Sequence, residues 1–279
     1  MTAGVLIFAF NNTEIDYVSI AAYAAKQAKH YLGLPVTVVT NQLDIADKNI
    51  FDSVVYCEDN STQVKRFHNS ENFKTAIWHN ASRSNAFDLS PYDETLVIDS
   101  DFIINSDFLK YSWQQSEEFL IYDNSIDLAS HRDTSEFRTI GDVGIKFYWA
   151  TVFFFRKTKR VELFFRILDH IKSNWGYYAG LYQLPSFKYR NDYAFSIAIN
   201  ILDGGSVDSN FSVYPNKLIY ITDRDIFLDH TNNRMQFLIQ KKDTVGDFTA
   251  VSTENLDIHV MSKYSLMEVI KNKWKGMYF

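Results

Sequence analysis

The 279-residue chain has one cysteine, Cys57, so it builds no disulfide framework and no cysteine-based zinc cluster. A lone thiol points to the reducing cytoplasm. Four prolines and ten glycines leave no room for low-complexity linkers. No apolar run approaches the ~18 residues of a membrane span, and Val5–Phe10 ("VLIFAF") is too short, and too bare of basic residues before it, for a secretory h-region. The nucleotide loops G-x-x-x-x-G-K-S/T and G-x-G-x-x-G, the H-E-x-x-H zinc helix and the G-x-S-x-G nucleophile elbow are all missing. The formal net charge of −6 gives no global attraction to nucleic acid, although "KKDTV" and "KNKWKGMYF" gather positive charge late in the chain.

What is abundant is aromatic: 23 Phe and 17 Tyr, most of which must be core, with a minority suited to stacking on sugars or bases. The opening alternates strand and helix. Val5–Phe10 is a strand, and Thr13 with Asp16 reads as a capping box for a helix whose apolar positions run from Ile15 to Leu32. Gly33 and Pro35 stop that helix. Val36–Thr40 and Ser53–Cys57 are the second and third strands, so a parallel, right-handed crossover is expected. Residues 60–72 read as loop. Phe73, Ile77, Ala81, Ser84 and Phe87 mark one face of a second helix, and "TLVID" forms the next strand. Further on, Phe119–Tyr122 and Phe147–Lys157 are strand-like, Val161–Trp175 is helical, Asn191–Leu202 is a buried helix, and Ser265–Lys275 is a basic last helix. The expected fold is α/β, a mostly parallel sheet flanked by helices. It is read as one domain, with a nucleotide-binding half (1–118) and an acceptor-shaping half (119–279).

Chemistry concentrates in "LVIDSDFIIN", where Asp99 and Asp101 interrupt an apolar run at a strand's carboxyl end. Ligands collect there in open α/β sheets. Two carboxylates at i and i+2 suit one hard cation, Mg²⁺ or Mn²⁺, which in turn neutralises a diphosphate.

The stretch "SPYDETLVIDSD" resembles the metal-binding motif of GT-A-fold glycosyltransferases, nearest the retaining glycogenin and bacterial galactosyltransferase type, whose corresponding stretch is "PxYDKVLYLDAD". The chain is also similar to small transferases of tailed phages. The resemblance covers residues ~4–110 well and the rest loosely. It implies a GT-A-like fold and a metal-dependent transfer of a sugar from a nucleotide-diphosphate donor, first of all a UDP-sugar, to a hydroxyl. It implies that Asp99 meets the metal or donor ribose and that Asp101 binds the metal. Arg83, sixteen residues before Asp99, would reach the donor, with Lys74 one register earlier. In "LDIHVMSK", His259 would be the third metal ligand and Lys263 a diphosphate contact. That lysine follows the histidine by four residues instead of the family's six, and the intervening glycine is missing. Phe10, Asn11, Asn12 and Tyr17, at the end of the first strand, would cradle the base. Asn191 and Asp192 open the buried helix, either as its cap or as an acceptor-facing catalytic pair. The acceptor stays open among glycan, small molecule, protein and a hydroxylated base in phage DNA. A nucleotidyltransferase and a non-catalytic binding module remain alternatives, though "FAFNNT" lacks the glycine-rich loop of the former.

Overall fold

In the computed structural model, residues 1–42, 44–45, 48–58, 62–68, 73–79, 82–130, 138–140, 144–205 and 211–275 are described. The chain begins β1 (Ala3–Ala9), α1 (Tyr17–Leu32), β2 (Val36–Thr40), β3 (Ser53–Tyr56), β4 (Val64–His68), β5 (Phe73–Ile77), α2 (Ala86–Leu89), β6 (Glu94–Asp99) and β7 (Phe102–Ile103). It continues α3 (Tyr111–Gln114), β8 (Phe119–Tyr122), β9 (Ser125–Asp127), β10 (Thr139–Ile140), β11 (Ile145–Lys146), β12 (Trp149–Arg156), α4 (Lys159–Ser173), α5 (Trp175–Leu181) and α6 (Asn191–Leu202). It ends β13 (Ser212–Val213), β14 (Leu218–Ile221), β15 (Ile226–Thr231), β16 (Arg234–Gln240), β17 (Phe248–Glu254), β18 (Ile258–Val260) and α7 (Lys263–Lys275).

A seven-stranded sheet runs β13-β8-β12-β6-β1-β2-β3. β1 lies parallel to both β2 and β6, while β12 runs antiparallel between β6 and β8. Gly4–Ala9 of β1 is buried without alternation, the signature of a parallel strand covered on both faces. α1 packs on β1 and β2, α7 on α1, and α4 on α6, which rests against β12. The chain leaves β1 toward β2 and β3 and returns to β6 on its other side. The β1/β6 carboxyl ends, where Phe8 pairs with Asp99, are therefore a topological switch point.

Several expectations change. The helix expected over Phe73–Phe87 is not formed: Phe73–Ile77 is a strand paired with β4, inside the stretch read as loop. Ser82–Asn85 is a 3₁₀ turn leading into the short α2, and Ala81 lies outside the described residues. The two apolar ends of "FKTAI", Phe73 and Ile77, satisfy an i, i+4 helix spacing, and it is the pairing with β4 that makes the run a strand. The capping box is different too. Asp16 itself is the N-cap of α1, its carboxylate accepting from Ser19 N at 3.1 Å, and Thr13 lies upstream of the helix. Gly33 does close α1, in the left-handed conformation at φ 70°.

Among the described residues the second half adds the β10-β11 pair and two larger sheets. β15-β16-β17 is an antiparallel meander, and β7-β18-β14-β9 is a small sheet built from distant segments. The latter positions the site, since it pairs His259 with Phe102, the residue after Asp101.

Candidate functional site

Asp99 ends β6, and Ser100–Asp101 make the turn into β7. Val260 N donates to Asp101 O at 2.8 Å, locking β18 beside that turn. His259 Nε2 thereby comes 3.2 Å from Asp101 Oδ2 and 3.7 Å from Asp99 Oδ2. Lys263, at the start of α7, pairs with Asp101 Oδ2, and Arg83 pairs with Asp99. Arg83 is further held by donating Nη1 to Ala150 O at 2.9 Å. Burial would raise the Asp101 carboxyl, but Lys263 and His259 outweigh it and hold it well below the usual carboxylate range.

The donor atoms of Asp99, Asp101 and His259 lie within 4.8 Å of one another. Neighbouring donors around a cation held at about 2.1 Å sit about 3 Å apart, so the histidine-to-carboxylate spacings fit one ion. Two carboxylate oxygens and an imidazole suit Mn²⁺ or Mg²⁺. His259 Nδ1 is buried with no hydrogen-bond partner among the described residues, so no neighbour there fixes its tautomer.

The expected base-binding residues are engaged with the protein itself. Asn11 Oδ1 accepts from Val18 N at 2.9 Å and its Nδ2 donates to Asp16 at 2.9 Å. Asn12 Oδ1 accepts from the amides of Glu14 and Ile15, and its Nδ2 donates to Ile77 O at 2.9 Å. Both asparagines thus shape the loop between β1 and α1. Phe10 is buried 6.1 Å from the His79 ring. The Tyr17 phenol has its pKa raised by burial and then by the charge of nearby Asp101. Lys74 stands apart on β5, paired with Glu14 at 2.9 Å.

At the start of α6, Asp192 is held at both oxygens. Oδ1 accepts from Ala150 N at 3.0 Å and Oδ2 from Arg190 at 2.9 Å. The Ala150 backbone therefore links Arg83, through its carbonyl, to Asp192, through its N–H. Asn191 Oδ1 accepts from Tyr189 OH at 3.3 Å. Neither residue caps the helix; Arg190 occupies that position without a side-chain bond. Arg190 and Tyr189, one and two residues before the "ND" pair, were absent from the sequence reading, as was Lys65 on β4. Neither "VKRFH" nor "FKTAI" alternates apolar with polar, so no local signal marks the ribbon carrying Lys65. Asp142 and residues 131–137 lie outside the described residues.

No protein-family profile and no curated relative matches the chain. Among solved structures, it is similar to galactosyltransferase LgtC in complex with donor and acceptor sugar analogues, at 13% identity and TM-score 0.48, over 78% of this chain and 75% of that one. Glycosyltransferase GlyE of Streptococcus pneumoniae TIGR4 matches at 14% identity and TM-score 0.41, over 77% of this chain and 46% of its own. A Bacillus anthracis protein described as a glucose-1-phosphate thymidylyltransferase matches at 10% identity and TM-score 0.44, over 97% and 95%. No helix among the described residues is long and apolar enough to cross a membrane.

Proposed function

We propose that the chain is a metal-dependent glycosyltransferase that moves a sugar from a nucleotide-diphosphate donor, a UDP-sugar first of all, to a hydroxyl acceptor. One observation carries this reading: Asp99, Asp101 and His259 converge at the β1/β6 switch point with Arg83 and Lys263 directly on the carboxylates. When bound, Mn²⁺ or Mg²⁺ would act as a Lewis acid on the diphosphate. Arg83 and Lys263 supply two further positive charges at the same place. A leaving diphosphate needs this concentration of charge.

Each Asp192 oxygen accepts one hydrogen bond, from Ala150 N and from Arg190, which fixes the carboxylate and leaves each oxygen a further lone pair. Asp192 is thus the candidate base of an inverting transfer and a positioning group in a retaining one. Nucleotidyl transfer is less well served, because the loop after β1, Phe10–Thr13, has no glycine to cradle a triphosphate. Residues 1–118 supply Arg83 and the aspartates, while His259 and Lys263 come from the second half, so both halves build the donor site.

The test is a thermal-shift panel of nucleotide sugars with and without Mn²⁺, followed by donor hydrolysis. A bound donor raises Tm by mass action. Asp101→Ala should abolish both the Mn²⁺-dependent shift and hydrolysis. Unchanged hydrolysis in that variant would remove the metal role.

A further inference from the structure

We propose that Lys65, on the β4–β5 ribbon, is a further phosphate-contacting residue, whose ammonium takes up the charge the diphosphate acquires as the sugar leaves. This rests on the glycosyl-transfer reading and adds a residue to it.

The ribbon is fastened to the segment that leads into α6. With its amide oriented to match its neighbours, Gln63 donates to Tyr189 O at 3.2 Å and accepts from Tyr189 N at 2.9 Å. Lys188 Nζ donates to Val64 O at 3.3 Å, and Trp78 N to Gln63 O at 2.7 Å. β4 is therefore tied to the segment that leads into Arg190 and Asp192. Strand alternation then aims its side chains. Phe67 is 4% exposed, and Lys65, two residues earlier, shares its face. Arg66, on the other face, lies 4.8 Å from the Phe73 ring. Lys65 is itself exposed, and its Nζ sits 5.0 Å from the Trp78 ring and 5.9 Å from the Phe67 ring, a cation–π seat open to solvent and ligand. The charges that act on it are those of Lys263, Asp101, Asp223 and Arg190. Desolvation foremost, then the cations of Lys263 and Arg190, push its pKa down to about 8, against Asp101 and Asp223.

The charge count shows why a cation is wanted there. Asp99 is matched by Arg83, Asp101 by Lys263 and Asp192 by Arg190. Among the described residues no carboxylate lies within ion-pair distance of Lys65. A divalent ion on Asp99 and Asp101 would leave Arg83 and Lys263 to meet the two negative charges of an intact nucleotide-diphosphate sugar. Transfer breaks the bond between the anomeric carbon and the phosphate oxygen. The bonding electron pair stays on that oxygen while a new bond forms to the acceptor oxygen, whose proton ends in solvent at neutral pH. The nucleoside diphosphate thus leaves with a third negative charge, and Lys65, beside the fields of Asp101 and Asp223, is a cation outside the three pairs that can receive it.

Isothermal titration with Mn²⁺ tests this on the whole chain, using UDP, GDP, ADP and dTDP and then the monophosphate of whichever binds tightest. Lys65→Met should weaken the diphosphate about tenfold and the monophosphate by no more than about threefold, the loss of one charged hydrogen bond. Lys65→Arg should recover most of the affinity. A diphosphate-to-monophosphate ratio unchanged in Lys65→Met overturns the inference. Asp101→Asn separates this from the underlying reading. If it loses Mn²⁺-dependent binding while Lys65→Met matches wild type, only the role of Lys65 falls. If Asp101→Asn binds as wild type does, or no diphosphate binds at all, the reading of the site fails and the inference with it.

Discussion

Asp257→Asn should make the protein markedly more acid-sensitive, because it unmasks a neutral buried histidine. His230, 1% exposed on β15, accepts at Nδ1 from Tyr23 OH at 2.5 Å and donates Nε2–H to Asn105 Oδ1 at 2.9 Å. That carboxamide also accepts from Tyr31 OH at 2.9 Å and donates to Asn233 O at 2.8 Å. The uncharged ring is thus fully satisfied. Burial, with the Lys273 charge, pushes the His230 pKa down from 6.5 to about 4. The unfolded chain then binds the proton more readily, so the histidine's contribution is whole above pH 6.5 and is lost as pH falls toward 4. At 1.36 kcal/mol per pH unit the loss is about 3 kcal/mol.

The same network carries the opposite effect. Asp257 Oδ1 accepts from Asn105 N at 2.7 Å, and burial raises its carboxyl from 3.8 to about 6. Here the folded chain binds the proton first, so stability is gained as pH falls from about 6 to 3.8, by about 2 to 3 kcal/mol. The two effects largely offset in the wild type. Urea unfolding at pH 7, 6, 5 and 4 should show the stability of wild type relative to Asp257→Asn rising by about 2 to 3 kcal/mol on acidification. His230→Gln should shift the slope the other way. Parallel pH profiles for wild type and Asp257→Asn would refute the linkage.

A Cβ at Gly4 would lie 2.4 Å from the Tyr92 ring, and that ring is fixed by a 2.8 Å bond between its hydroxyl and Thr37. Gly4→Ala should therefore cost about 1–3 kcal/mol in denaturant unfolding. Lys263→Met leaves buried Asp101 without its lysine. It should unfold at lower temperature than wild type without metal, yet gain more from added Mn²⁺ in a thermal-shift assay, because no side-chain cation then competes for Asp101 Oδ2. Asp16→Ala removes the N-cap of α1 and should cost about 1 kcal/mol by the same unfolding measurement.

The elements legible in the sequence are those whose signal is local. β1 reads as one apolar run because a parallel strand covered on both faces has no polar side to show. α6 was read over its observed span, Asn191–Leu202, because its apolar character ends sharply at both ends. Asp99 and Asp101 stood out because charges inside such a run need a reason. What escaped depends on pairing between distant segments. β4 and β5 are short and carry no apolar–polar alternation, and the β15–β17 meander was missed although the Asn232–Asn233 turn between Thr231 and Arg234 marks its first hairpin. The closeness of His259 to the aspartates follows from β18 pairing with β7, a register no local pattern records; only the motif resemblance suggested it.

The central claim is that Asp99, Asp101 and His259 together hold the divalent ion that carries the donor diphosphate. A crystal grown with Mn²⁺ and UDP, measured for anomalous scattering from manganese, tests it directly. The account predicts one strong peak within about 2.3 Å of a carboxylate oxygen of Asp101 and of His259 Nε2, with diphosphate oxygens completing the ion's shell. UDP bound at the β1/β6 crevice with no manganese peak there, or manganese coordinated elsewhere, would contradict it.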